Sequence, residues 1–355
     1  MDYNSFLKWL DQANYHDYLF FIYFFSSFIL TLWLVPQAST LSRCWRIMDR
    51  PHPRKVHALP MPRLGGVAVY ISVLLILECI LYGGFESQLV GIMGGATLMV
   101  FVGLLDDMGK IDYKIKLFVA IPLSALILII SGVSCEFFRS PLLNYFATFI
   151  WVVAVMSAFN IVDNMDGICA GLVFIASFFF FVVTLLNEQY LVGPLACILM
   201  GSALGFLRYN FPPARIFMGD SGTMFFGFMM AVLGIKVRFL SVPKNISWMA
   251  PVFILAVPLF DIVLVTISRI RRHLVPYKSP GKDHLSHRLA LAGLSHRGVA
   301  LVHYSLGLIG GLAGLIVSNL NIMQAYLFIG AAFAVVLAAI IWLEKLYSNK
   351  KGRPE

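Results

Sequence analysis

The sequence predicts an all-α polytopic integral membrane protein with about 11 transmembrane helices, and three observations predict it. Hydrophobic residues make up 59% of the 355 and charged residues 13%, with a mean hydropathy of +0.83; no water-facing surface is built from that balance. The apolar residues are gathered into runs of roughly the 17 to 25 that a helix needs to cross the hydrocarbon, too long for barrel strands. Between the runs, loops rich in Lys and Arg alternate with loops that have almost none, the pattern left by positive-inside insertion.

The runs lie at about 19–38, 65–82, 89–105, 117–133, 143–159, 168–186, 191–207, 222–238, 248–268, 299–318 and 324–343. With the loop after the first run placed inside, 22 of the 27 Lys and Arg fall on cytosolic segments; Lys8, Arg139, Lys236, Arg238 and Lys244 lie elsewhere. The amino terminus is therefore expected outside and the carboxyl terminus inside. Residues 344–355 form a cytosolic tail on a single transmembrane domain spanning 1–355. The same excess accounts for the net charge of +9, so no nucleic-acid partner is needed; a basic inner face attracts anionic lipid and anionic substrates. The first residues, with Asp2, Lys8, Asp11 and Asp17, lack the basic start of a signal peptide, so the first run is expected to stay as an anchor. The Cys at 44, 79, 135, 169 and 197 show no paired spacing, which predicts neither an intramolecular disulfide nor a zinc site.

The acids carry a separate signal. After Asp2, Asp11 and Asp17, the other nine Asp all lie on or just under the cytosolic side. Insertion hardly responds to acids, so this asymmetry points to a site assembled from the inner loops.

In the first inner loop, prolines at 51, 53, 60 and 62 exclude a helix and hold an extended arm. Arg54, Lys55, His57 and Arg63 offer donors to a phosphate there, and Gly65-Gly66 permit close backbone approach. Taken alone it reads more simply as an ordinary positive-inside loop. The second loop opens with Asp106-Asp107 and continues to Lys110, Lys114 and Lys116. Adjacent helical residues do not face alike, so the two acids divide their tasks or sit at a helix end. They suit a general base beside a phosphate clamp, and also a solvated helix terminus.

The third loop, Asn160-Ile161-Val162-Asp163-Asn164-Met165-Asp166-Gly167, sets two acids between apolar runs. A carboxylate costs about 3 kcal/mol at the centre of a membrane helix, so acids kept there usually mark a site. On a helix, Asn160, Asp163 and Asp166 would share one face, and amide, acid and acid suit a hard cation. The competing reading is a polar loop with a helix cap. In the fourth loop, Asp220 follows Gly219 at the start of the eighth run, placed to cap that helix or hold a metal, and Phe217 could stack on a flat ring. The fifth loop is the most basic, with Arg269, Arg271, Arg272, His273, Lys278 and Lys282; Arg271 and Arg272 are candidate substrate contacts. His284 and His287, three apart, could share a face for phosphate or metal, or simply face solvent.

Taken together, these pieces resemble the polyprenyl-phosphate N-acetylhexosamine-1-phosphate transferases. The resemblance runs in order over about 49–298 through the Pro-rich arm ending PxxGG, the GLLDD run, the NxxDxxDG run, the RIFMGDSG run and the His-bearing fifth loop. It implies transfer of a sugar 1-phosphate from a UDP-N-acetylhexosamine to polyprenyl phosphate in the bacterial cytoplasmic membrane. Release of UMP and dependence on Mg2+, with Mn2+ as the alternative ion, are also implied. By the same resemblance Asp220 holds the metal, with Asp163 and Asp166 nearby and Asn160 in support. Asp106 and Asp107 match the acidic pair proposed to act as base toward the lipid phosphate, and Lys116 a residue that grips phosphate. Asn210 and Phe217 match the uracil side, and His284 and His287 the His motif; Ser286 stands where close relatives often carry another His. A homodimer is one option for assembly.

His284-Leu285-Ser286-His287 and Pro258-Leu259-Phe260-Asp261 resemble the GlcNAc-type branch more than the muramyl-pentapeptide branch, which favours UDP-GlcNAc as donor. Asp261 lies deep in its run and is expected to have a partner such as a loop-five Arg or a water. A polytopic transporter is the alternative of another class; it would place its ionisable groups near the midplane, with internal repeats, and neither feature is seen.

Overall fold

A computed structural model describes residues 15–50, 59–78, 86–187, 189, 191–238, 244–275 and 281–351. Each apolar run is mainly helical where it is described, since only internal hydrogen bonding satisfies backbone groups placed in lipid. In chain order the helices are α1 (Tyr15–Cys44), α2 (Gly65–Leu77), α3 (Glu86–Asp107), α4 (Tyr113–Ile130), α5 (Pro141–Val162), α6 (Ile168–Asn187) and α7 (Val192–Asn210). They continue with α8 (Gly219–Lys236), a single helical turn at Lys244–Ser247, α9 (Met249–Ile254), α10 (Ala256–Arg271), α11 (Leu285–Leu291), α12 (His296–Val317) and α13 (Ile322–Lys351). A two-residue antiparallel ladder, β1 (Met48–Asp49) on β2 (Met61–Pro62), closes the base of the Pro-rich arm. Residues 344–351 of the expected tail continue α13.

Eight of the described helices, α1, α3 to α7, α12 and α13, are long and apolar enough to cross a membrane, against the expected eleven or so. The difference lies in three runs. The second is described as a 13-residue helix. In the eighth, Asp220 and Lys236 occupy the ends of α8 and shorten its apolar stretch. The ninth is broken at Leu255 between α9 and α10: Pro258 has no N–H for the Ile254 carbonyl, and its ring crowds that carbonyl. A related effect shapes α4, where a wide π turn over Lys116–Ala120 precedes Pro122.

α8 occupies the centre. Every residue from Ser221 to Ile235 is buried, and the helix packs against α2, α3 and α5. α6 and α7 pair beside it, α1 covers α7, and α12 lies on α6 and α9. Gly66 permits close backbone-to-backbone approach: a Cβ there would fall 2.1 Å from the Gly222 nitrogen of α8. α1 and α13 are peripheral and present Phe21, Trp33, Phe333 and Trp342 outward, side chains suited to lipid. Within the Phe178–Phe181 run, Phe178 is exposed while Phe179 and Phe180 pack inside. The carboxyl ends of α3 and α5 and the amino ends of α4 and α8 converge at one end of the bundle.

Orientation has a direct test. An impermeant maleimide applied to intact cells should label a cysteine placed at Arg139 or Asn321 and spare one placed at Lys110 or Lys282. Native Cys44, exposed at the end of α1, should stay unlabelled. The reverse pattern would invert the topology.

Candidate active site

The site begins with a helix start that another helix caps. Met218, preceding α8, offers no side-chain cap. Instead Asp107, the last residue of α3, accepts hydrogen bonds from the backbone N–H groups of Asp220 (2.9 Å) and Ser221 (3.1 Å), satisfying donors that a helix leaves open. Gly219 takes φ +72°, and a Cβ there would meet the Arg63 carbonyl at 2.4 Å and Asp107 Oδ2 at 2.6 Å; only glycine fits both the angle and the space. Phe217 N–H donates to the Pro62 carbonyl and Gly66 N–H to the Met218 carbonyl, each at 2.8 Å, so the first loop is strapped to the fourth.

With its backbone held by Asp107, Asp220 turns its carboxylate to other partners. Lys116 Nζ, in the wide turn of α4, donates to Asp220 Oδ1 at 2.9 Å and to Asp106 Oδ2 at 2.6 Å. The Asn160 amide donates to Asp220 Oδ1 and, at 2.9 Å, to Thr223 Oγ1 one turn along α8. The acidic pair thus divides its tasks: Asp107 holds the backbone of α8, and Asp106 shares an ammonium with Asp220.

Beside this cluster lies a cavity of about 550 Å3, within the range of small-molecule sites. Its lining includes Asn160, Asp163, Asp166, Asn210, Phe217, Asp220 and His287 from the predicted set. The continuous helical face expected through Asn160, Asp163 and Asp166 does not form. α5 stops at Val162, Asp163 ends it, and Gly167 at φ +76° turns the chain into α6. Asp166 consequently reaches across to accept from Ala214 N–H at 2.9 Å. Asn210 is buried; it accepts from Gly167 N–H and donates to the Ile216 carbonyl, both at 2.9 Å. Its amide braces the third loop against the fourth. Tyr304 Oη donates to the Gly167 carbonyl at 2.7 Å and completes the brace from α12.

Asp163 differs from its neighbours. No described residue donates a hydrogen bond to its carboxylate, and burial, followed by the carboxylates of Asp220, Asp166 and Asp107, pushes it up to about 7. A carboxylate without a donor, set beside other acids at one cavity, suits a hard divalent cation. Among the described residues no group of three or more His, Cys, Asp or Glu side chains is arranged as a metal cage. An ion that keeps several waters and takes one or two protein carboxylates together with substrate phosphates does not require one.

The fifth loop separates its two histidines. His284 precedes α11, and its Nδ1 lies 3.1 Å from Asp261 Oδ2, while Asp261 Oδ1 accepts from Leu285 N–H at 2.7 Å. The buried partner of Asp261 is therefore a histidine and a backbone amide, not an arginine. His287 points the other way and lines the cavity, its ring 6.0 Å from that of His284. Burial, then His284 and Lys282, push His287 down to about 4, so it stands neutral at pH 7. Ser286 donates to Asn164 Oδ1 and locks α11 onto the third loop, a contact another histidine at this position would replace.

Arg271 and Arg272 do not line the cavity. Arg271 pairs with Glu344 at 3.3 Å, and Arg272 with Asp283 at 2.7 Å. Asp283 is also held by Arg269 at 3.0 Å; although burial opposes ionisation, these two arginines pull it down to about 2. Arg54 and Lys55 lie outside the described residues. The lining also holds residues outside the sequence-derived set: Asp49, whose carboxylate holds Arg63 at 2.8 Å, and also Asn164, Thr223 and His296. Thr223 was findable as the residue one turn beyond Asp220; Asp49 and His296 carry no local pattern that marks them.

Residues 89–238 match the family model described as glycosyl transferase family 4. Over 344 residues, 93% of each chain, the sequence is 32% identical to a Bacillus subtilis (strain 168) protein named probable undecaprenyl-phosphate N-acetylglucosaminyl 1-phosphate transferase. It is 31% identical over 312 residues, 78% of each chain, to the decaprenyl-phosphate N-acetylglucosaminephosphotransferase of Mycobacterium leprae (strain TN). With the undecaprenyl-phosphate alpha-N-acetylglucosaminyl 1-phosphate transferase of Escherichia coli (strain K12) it shares 25% identity over 286 residues, 77% of each chain.

Proposed function

Because the chain belongs to glycosyl transferase family 4, we propose that it moves N-acetylglucosamine 1-phosphate from UDP-GlcNAc to undecaprenyl phosphate at the inner face of a bacterial cytoplasmic membrane. It is a polyprenyl-phosphate sugar-1-phosphate transferase with several apolar membrane helices. The observation that carries the finer reading is the convergence of Asn160, Asp163, Asp166, Phe217, Asp220 and His287, from three separate loops, on one cavity.

The lipid phosphate oxygen attacks the phosphorus that carries the sugar; the bond to the UMP oxygen breaks, and UMP leaves. Such a transfer asks a protein mainly for positioning and charge neutralisation. Asp220 and Asp163 would hold Mg2+, which supplies neutralisation of the diphosphate charge. Lys116 is placed between Asp106 and Asp220, a cation that can turn to an incoming phosphate without leaving the cluster. Asp107 has both oxygens committed to the backbone of α8, which leaves Asp106 as the member of the pair able to take a proton from the acceptor. At neutral pH little proton transfer is needed, because a phosphomonoester loses its second proton near pH 6 or so. Neutral His287 can donate one hydrogen bond and accept another inside the cavity. Phe217 supplies a flat face for the nucleobase.

The test uses purified protein, undecaprenyl phosphate and Mg2+ with UDP-GlcNAc, other UDP-sugars or the UDP-MurNAc-pentapeptide, measuring UMP and lipid product. UDP-GlcNAc should react fastest. Faster release from the muramyl donor would change the donor assignment, and no UMP from any of them would remove the reaction.

A further inference from the structure

The final helix reaches the active cavity through buried contacts that the transfer reaction does not itself require. α11 is seven residues long, too short to hold its own shape. Its first turn is pinned by Asp261 at Leu285 and by Asn164 at Ser286. The next two residues are His287, which lines the cavity, and Arg288, which has no solvent exposure. Arg288 Nε donates to the Asp283 carbonyl at 2.8 Å, and Nη2 donates to Ser268 Oγ of α10 at 2.9 Å. The same Nη2 meets Glu344 Oε1 of α13 at 2.7 Å, and the guanidinium lies over the Tyr347 ring, 4.8 Å from its centroid. Arg271 takes the other oxygen of Glu344, and Arg272 stands over the same ring at 5.3 Å.

Glu344 stands in the stretch of α13 expected beyond the membrane, and its side chain is only 12% exposed. A carboxylate covered to that degree needs a partner, and a buried guanidinium stripped of its carboxylate is strongly destabilised. The ring of Tyr347 adds a cation–π contact to the same guanidinium. Held at one end by Asp261 and Asn164 and in the middle by Glu344 and Tyr347, α11 has one register left for His287.

We propose that Glu344 and Tyr347 are positioning residues: through Arg288 they set the angle at which His287 enters the active cavity, making the last helix part of the active-site frame. The inference rests on the proposed function only in taking that cavity as the substrate site.

Two measurements on the full-length protein test it. In the first, Glu344→Ala should lower kcat for UMP release at least about 10-fold, with Glu344→Gln recovering part of the loss. In a His287→Ala background the same Glu344→Ala change should cost less than about twofold, since residues acting through one another are not additive. A full, additive loss in that background would overturn the inference, as would normal turnover in Glu344→Ala. The second measurement needs no activity. With His287→Cys in a Cys44→Ser background, the rate of maleimide labelling should change at least about threefold on adding Glu344→Ala or Tyr347→Ala. Adding Lys345→Ala should leave it unchanged. Equal labelling with and without Glu344 would overturn the positioning role even in an active enzyme. Altered labelling in a protein that transfers no sugar phosphate would uphold it while removing the proposed reaction.

Discussion

Asp220→Asn is expected to lower UMP release at least about 100-fold, the scale seen when a preorganised electrostatic group is removed from a reacting centre, while the protein still folds and inserts. Two features separate the chemical effect from a structural one. The start of α8 is held by Asp107 through the backbone of Asp220 and Ser221, and those bonds are indifferent to the side chain at 220. Lys116 retains Asp106 at 2.6 Å when the second carboxylate is neutralised, so no cation is stranded. What the variant loses is one negative charge at the cavity wall, the charge a divalent ion would meet. The check is kcat and the Mg2+ concentration for half-maximal rate, beside a thermal melt that should shift little. Near-normal turnover would move the ion away from Asp220.

Asp163→Asn is expected to weaken Mg2+ binding at least about 10-fold and to remove its pH dependence around neutrality. Burial and the carboxylates of Asp220, Asp166 and Asp107 raise Asp163 to about 7, so in the ion-free enzyme it carries a proton below that pH. A cation needs the ionised form and must displace that proton. The sign follows: Mg2+ affinity rises as pH climbs from about 6 to about 8 and falls as pH drops through the same interval. Asn cannot titrate, so the variant should show a weak, flat profile. Calorimetric titration of Mg2+ into the substrate-free protein measures this directly. An unchanged slope in Asp163→Asn would assign the proton to another group.

Much of this molecule is legible in its sequence. Apolar run length and the one-sided distribution of Lys and Arg determine an all-α membrane protein, because each helix satisfies its backbone within itself. The order of the short acidic and glycine-bearing stretches determines the family, and the clustering of Asp on one side points to the inner loops. Those signals are local, written into spacing along a single segment. Tertiary structure decided how the charges share their work. Lys116 and Asp220 stand 104 residues apart, and Asp107 and Asp220 stand 113 apart; their pairing depends on α3, α4 and α8 meeting at one end of the bundle, which no local periodicity encodes. The same holds for the backbone contacts of the polar side chains. Asp166 and Asn210, while lining the cavity, also brace two loops through backbone groups, as polar groups in a protein interior take hydrogen-bond partners. Arg271 and Arg272 turn to Glu344 and Asp283 because acids from α13 and the fifth loop reach them. Asp163 acquires its raised affinity for a proton from burial first, then from Asp220 and Asp107 on two other segments and Asp166 on its own loop, since Coulomb repulsion in a protein interior acts through space and takes no account of chain order.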